Sequence, residues 1–178
     1  MKILMINGSP HKMGTTALMM EKFMQGAKEA GHEINVYDAA EELVHPCIAC
    51  DACRKGNDGC VFKDGMEILN PMLFQSDIVV FVTPLYYFGM STQIKAVIDR
   101  FYANNTKLRE MPKKVIVLAS CGDTDDDTFD ALKHHFEAIW KYLHWTQIGS
   151  VYALGMYLRE DIEASNYPAQ AYELGKRL

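Results

Sequence analysis

The sequence predicts an α/β fold built on a doubly wound parallel sheet. Apolar runs alternate with helical-period segments from one end of the chain to the other, and the runs are short and rich in β-branched residues. Residues 3–6 form the first strand and 34–37 the second. The β-branched run Ile78-Val79-Val80-Phe81-Val82-Thr83 is the third, residues 115–119 are the fourth, and 146–154 contain the fifth. Between the first two strands, Met20, Phe23, Met24, Ala27 and Ala30 recur at three-to-four spacing, and Gly31 ends that helix. Ile94, Val97, Ile98 and Phe101 mark a second apolar stripe, and Phe129, Leu132, Phe136, Ile139 and Leu143 a third. Residues 169–178 form a last helix. The acidic run Asp125-Asp126-Asp127 is placed to cap the helix after the fourth strand.

Five strands, each followed by a helix, suggest the flavodoxin-like strand order 2-1-3-4-5. Ligands of such sheets bind outside the carboxyl ends of the strands, where the winding reverses. The loops after Ile6, Thr83 and Ala119 are therefore the ones to interrogate. A length of 178 residues corresponds to about one domain, and no linker or repeat divides it, so residues 1–178 are expected to form one domain. With 18 basic and 23 acidic residues the net charge is −5, which leaves no broad basic face for nucleic acid. No apolar run approaches the ~20 residues that span a bilayer. The first strand runs straight into Asn7-Gly8-Ser9-Pro10, unlike a signal peptide, so a cytoplasmic protein is expected.

The loop after the first strand reads Gly8-Ser9-Pro10-His11-Lys12-Met13-Gly14-Thr15-Thr16. Its glycines permit a tight turn, its N–H groups and the helix start favour an anion, and Ser9, Thr15 and Thr16 add hydroxyl donors. It is not a Walker loop, because no Lys-Ser or Lys-Thr pair follows Gly14, and it lacks the G-x-G-x-x-G dinucleotide spacing. A single terminal phosphate, as in flavin mononucleotide (FMN), suits it; an ordinary strand-to-helix turn with a Ser/Thr cap would read the same way. After the third strand, Pro84-Leu85-Tyr86-Tyr87-Phe88-Gly89 places three aromatics in a row, either bordering a flat ring or covering the end of the core.

These two loops, together with Lys95-Ala96-Val97-Ile98-Asp99-Arg100, resemble the NADPH-dependent FMN reductase family, and the resemblance covers nearly the whole chain. It implies that Ser9, His11, Gly14, Thr15 and Thr16 bind the FMN phosphate. It further implies that Pro84, Leu85, Tyr86, Tyr87, Phe88 and Gly89 contact the isoalloxazine ring, and that Ser120, Cys121 and Gly122 close its other side. For Cys121, a buried and inert strand-end thiol is the competing reading. The family often has Arg where this chain has His11, and Asn or Ser where it has Thr15. A neutral imidazole at position 11 implies weaker or pH-dependent phosphate binding, which FMN affinity unchanged from about pH 5.5 to 8 would refute.

The segment 39–65 shows no clear period and holds four of the five cysteines, spaced Cys47-x2-Cys50-x2-Cys53-x6-Cys60. Three closely spaced thiols with a fourth returned past Gly56 and Gly59 suit a [4Fe-4S] cluster better than tetrahedral zinc. The quartet also resembles the compact motif of the iron-sulfur flavoproteins, which carry FMN beside such a cluster and would make these four residues the ligands. FMN reductases without a known cluster share a similar segment ending like Lys63-Asp64-Gly65-Met66, so cluster, redox-active or free thiols, and zinc all remain open.

Two functions follow as expectations. In the first, NADH or NADPH reduces bound FMN, which passes electrons to flavin, quinone or another acceptor; the flavin supplies the chemistry, so no catalytic side chain is assigned. In the second, FMN and a cluster relay electrons between partner proteins such as a ferredoxin-like carrier. The family resemblance further implies a homodimer or homotetramer.

Overall fold

The structure, a computed structural model, describes residues 1–55 and 59–178; Gly56, invoked above to return the fourth cysteine, lies outside the described residues. Five strands form one all-parallel sheet: β1 (Lys2–Asn7), β2 (Glu33–Asp38), β3 (Ile78–Pro84), β4 (Lys114–Ser120) and β5 (Thr146–Ala153). Their order is β2-β1-β3-β4-β5, as the sequence predicts. The central strands are buried almost throughout because both faces are covered, which is why they read as continuous apolar runs. Strand β5 shifts register between Val115 and Ile116 of its neighbour and ends at Ala153.

Side chains alternate between two cores with the strand period of two. On one face, Ile3, Met5, Val80, Val82, Ile116 and Leu118 meet α1 (Thr15–Glu29), α6 (Arg159–Glu163) and α7 (Tyr167–Lys176) through Leu18, Phe23, Ile162 and Leu174. On the other, Leu4, Ile6, Val79, Phe81, Val115 and Val117 meet α2 (Met66–Gln75), α3 (Thr92–Arg100), α4 (Asn105–Glu110) and α5 (Asp130–Leu143). Phe81 also contacts the rings of Phe136 and Trp140, with centroids 5.8 and 5.0 Å apart.

Helix α1 stops where predicted, with Gly31 at φ +82°. Its buried face includes Leu18, Met19, Phe23 and Ala27, while Met20 and Met24 lie at the margin. Gly26 faces the backbone of α7 at Tyr172, and Gly175 faces that of α1 at Phe23, so two missing side chains let these helices touch. The sequence does not reveal α2, whose Pro71 disguises a helical turn, nor the short α4 and α6. The acidic run after β4 does not cap α5: the N-cap is Phe129, with no side-chain hydrogen bond. Asp123 instead ties the loop, accepting from the backbone of Thr124 and Asp125 and from the Thr128 hydroxyl.

Candidate functional site

The carboxyl ends of β1, β3, β4 and β5 open into a cleft of about 840 Å³, within the ~300–1,000 Å³ range of small-molecule sites. Its first wall is the loop that follows β1. Asn7 orders this loop, accepting the Ser9 N–H at 3.1 Å while its amide donates to Asp38 at 3.1 Å. The Ser9 hydroxyl accepts the His11 N–H at 3.3 Å, and the Gly14 N–H donates to the His11 carbonyl at 3.0 Å. Gly14 is then the N-cap of α1 and supplies no side-chain cap. A helix of 15 residues therefore presents its positive end to the cleft without a capping side chain. A phosphate group fits that position, since it accepts the N–H groups a cap would otherwise satisfy.

Thr15 and Ser120 join hydroxyls at 2.7 Å, linking the loop after β1 to the end of β4. The Leu85 N–H donates to the Ser120 carbonyl at 2.9 Å, which adds the loop after β3 to the same wall. The structure thus gathers Ser9, His11, Gly14, Thr15, Thr16, Pro84, Leu85, Tyr86, Ser120, Cys121 and Gly122 around one cleft. It does not bring Tyr87, Phe88 and Gly89 into the lining. Tyr86 and Gly89 pair through two 3.0 Å backbone hydrogen bonds, so Tyr87 and Phe88 become the tip of a two-residue turn at φ +47° and +62°. Tyr87 is fully exposed.

Cys121 is buried at the cleft wall, with its thiol donating weakly to the Asp123 carbonyl at 3.5 Å. Burial raises its pKa, which keeps it protonated. Sequence reasoning misses the wall built by Met156, Tyr157, Leu158 and Arg159 after β5. Hydrogen bonds from Met156 to Cys121 (2.7 Å) and from Gly155 to Asp123 (2.6 Å) zip that segment to the loop after β4. A Cβ on Gly122 would meet the Tyr157 ring at 2.9 Å, so glycine is needed for this approach. The signal available beforehand was Gly155, a turn-former just beyond a strand.

The cysteine segment forms a second, separate pocket that shares no lining residue with the cleft. Cys47, Cys50, Cys53 and Cys60 all border a cavity of about 20 Å³, together with Arg100 and Tyr102. That is room for about one water. Cys47 and Cys50 are exposed, Cys53 and Cys60 partly buried, and none is in a disulfide. Among the described residues, no three His, Cys, Asp or Glu side chains converge closely enough to hold a single metal ion. Ala49 and Asp51 adopt φ of +53° and +55°, a costly backbone that reverses the chain between successive cysteines. The donor set is four thiols, soft ligands suited to iron-sulfur or thiol redox chemistry.

Asp64 and Arg100 anchor this segment. Both side chains are nearly inaccessible, and Arg100 holds the carboxylate through Nη1 at 2.6 Å and Nη2 at 3.2 Å. Arg100 also donates to the His45 carbonyl at 2.8 Å, while Asp64 accepts the backbone N–H groups of His45 and Met66 at 3.0 and 3.1 Å. Burial by itself pushes the Asp64 carboxyl up, but the Arg100, His45 and Met66 donors outweigh it and hold the pKa below the ordinary value. Burial likewise opposes the charge on Arg100, yet Asp64 and Cys60 keep its pKa raised.

The sheet order and the open helix end at its reversal point define a flavodoxin-like α/β protein with a mononucleotide-sized cleft. Residues 1–158 match the NADPH-dependent FMN reductase family, and the chain belongs to that family. It is 32% identical over 100 residues to the iron-sulfur flavoprotein MJ1083 of Methanocaldococcus jannaschii, covering 56% of this chain and 51% of that protein. It is 28% identical over 165 residues to Bacillus subtilis YwqN, which carries the name NAD(P)H-dependent FMN-containing oxidoreductase, covering 87% and 84% of the two chains. The chain spans about half the length of the archaeal iron-sulfur flavoproteins it matches. Among solved structures, the NAD(P)H:quinone oxidoreductase of Methanothermobacter marburgensis superposes with a TM-score of 0.81 at 16% identity, covering 99% of this chain and 95% of the other. An FMN-dependent NADH-azoreductase of Bacillus anthracis in complex with FMN gives 0.72 at 16% identity, covering 99% and 98%. These structural likenesses establish the shared fold.

Proposed function

We propose that the chain is one FMN-binding domain that takes electrons from NADH or NADPH and delivers them to a flavin, quinone or similar acceptor. The observation that carries this reading is the uncapped N-terminus of α1, opening into the cleft beside the Thr15 and Ser120 hydroxyls. Ser9, His11, Gly14, Thr15 and Thr16 would hold the phosphate, and Pro84, Leu85, Tyr86, Ser120, Cys121 and Gly122 would border the ring. Tyr157 on Gly122 extends that border, and the exposed tip at Tyr87, Phe88 and Gly89 would meet a ring only from the rim. Bound FMN supplies hydride acceptance and one- or two-electron release; the protein contributes binding, orientation and an open face for the donor. No side chain is required as acid or base.

The test is flavin uptake and reduction. Protein purified without oxygen and titrated with FMN should become yellow with one flavin per chain, and NADPH or NADH should bleach it rapidly. Absence of uptake sinks the reading.

A second reading is favoured by the four thiols bordering one pocket: an electron carrier in which a [4Fe-4S] cluster on Cys47, Cys50, Cys53 and Cys60 works with FMN between partner proteins. Anaerobic reconstitution should then load iron and sulfide, Cys50→Ala should abolish loading, and a ferredoxin-like protein should reduce the flavin where nicotinamides do not. Iron content unaltered in Cys50→Ala counts against the ligand set. A homodimer or homotetramer is the proposed assembly, and the cytoplasm the proposed compartment, where the exposed thiols Cys47 and Cys50 would stay reduced. Among the described residues, no helix is long and apolar enough to cross a membrane.

A further inference from the structure

Apart from His11, the cleft lining carries two cationic side chains, Lys12 and Arg159. Lys12 is largely exposed and paired with Glu41, which is not part of the lining. Arg159 is different. It sits one residue beyond the segment that matches the family, and its side chain is only 26% exposed. Its Nη1 donates long hydrogen bonds, both 3.4 Å, to the carbonyls of Met13 and Gly14, across 145 or more residues of chain. Its Nε donates to Glu163 at 2.7 Å, and Glu163 stands outside the cleft lining. The carboxylate therefore fixes the guanidinium without occupying the cleft. Among the described residues, Nη2 donates to no other group.

Met13 and Gly14 immediately precede the first residue of α1, so the guanidinium is held beside the open helix end. Hydroxyls and backbone N–H groups there are neutral donors, and a charge-assisted hydrogen bond to an anion is roughly twice as strong as a neutral one. With Nε and Nη1 already engaged, Nη2 is the donor left to reach a phosphate oxygen, so the charge of the guanidinium counts for more than a two-point match. We propose that Arg159, from the loop after β5, is the residue that reads the phosphate of the bound flavin nucleotide and discriminates it from an unphosphorylated flavin. The proposal rests on the FMN reading above and adds to it a recognition residue supplied by a different part of the chain.

The experiment is flavin-fluorescence titration of the purified full chain with FMN and, separately, with riboflavin, for wild type, Arg159→Gln and Arg159→Lys. Arg159→Gln should weaken FMN binding by about 10- to 100-fold, the range for losing one charge-assisted contact, and leave riboflavin binding unchanged. Arg159→Lys should keep most of the preference, because charge remains. Equal weakening of both flavins by Arg159→Gln would overturn the proposal, since the side chain would then only shape the cleft. A lysine variant no better than glutamine would overturn it too, by assigning the effect to the grip on the Met13 and Gly14 carbonyls. So would unaltered FMN binding with a raised KM for NADPH relative to NADH, which would assign the arginine to the donor's 2′-phosphate. Wild-type protein that binds no FMN defeats the underlying reading, whereas wild type that prefers FMN beside an unchanged glutamine variant defeats the Arg159 assignment alone.

Discussion

Replacing Asp64 with alanine removes the centre of the network that pins the cysteine segment to the sheet's helical layer. The carboxylate takes two donors from Arg100 and one each from the His45 and Met66 backbones, and only 3% of its side chain is exposed. Without it, a guanidinium just 2% exposed keeps its charge but loses its counterion, and two backbone N–H groups lose their acceptor. Breaking a buried pair from one side costs about 3–5 kcal/mol, a large share of the ~5–15 kcal/mol that stabilises a typical domain. Urea denaturation at pH 7 should show that loss as a lower midpoint, and thiol labelling of Cys53 and Cys60 should quicken because the segment has lost its tether. The pH dependence has a definite sign. The folded carboxyl titrates below its ordinary value, so its stabilisation is fully present above about pH 4 and disappears as pH falls through the lower folded value. The gap between wild type and Asp64→Ala should therefore be widest near neutrality and close in acid. A loss under about 1 kcal/mol at pH 7, or a gap that persists unchanged in acid, refutes the reasoning.

Other perturbations test other parts of the design. Gly26→Ala places a methyl against the Tyr172 carbonyl of α7 and should cost about 1–3 kcal/mol in chemical denaturation, with Gly175→Ala behaving alike from the opposite side. Thr15→Val removes one partner of the 2.7 Å hydroxyl bridge to Ser120; it should lower stability by about 1 kcal/mol and FMN affinity by about fivefold in fluorescence titration. Tyr87→Asn combined with Phe88→Gly supplies residues suited to a turn with two positive φ angles, and should raise the unfolding free energy in chemical denaturation by roughly 1–2 kcal/mol. Because neither side chain lines the cleft, FMN affinity in that double variant should change less than twofold, roughly the precision of such binding measurements.

The strands were legible because a strand buried on both faces must be apolar along its length, and Ile78 to Thr83 says so without help from any neighbour. The winding was legible for a related reason: a parallel pair needs a crossover, and each crossover had a helical stripe or room for one. Helix α2 escaped because Pro71 interrupts the local pattern that would announce it, although tertiary burial of Leu69 and Leu73 holds the helix together. The acidic run misled for the opposite reason. The loop is tied by Asp123 ahead of the run, and Phe129, not one of the three aspartates, stands at the N-cap of α5 without a side-chain hydrogen bond.

The candidate site divides along the same line. Ser9, Thr15, Thr16 and the start of α1 belong to one short segment whose glycines and hydroxyls state its chemistry locally. Arg159 lies 145 residues from Gly14, and its arrival at that loop depends on Gly155 turning the chain and on two backbone hydrogen bonds to the loop after β4. The family resemblance implies ring contacts for Tyr87 and Phe88, and a two-residue turn sets both at an exposed tip that no local pattern announces. Residue type and spacing encode what a segment buries and what a loop can bind. Which loops meet is a matter of long-range closure, where a few hydrogen bonds and missing side chains bring together parts of the chain that share no local pattern.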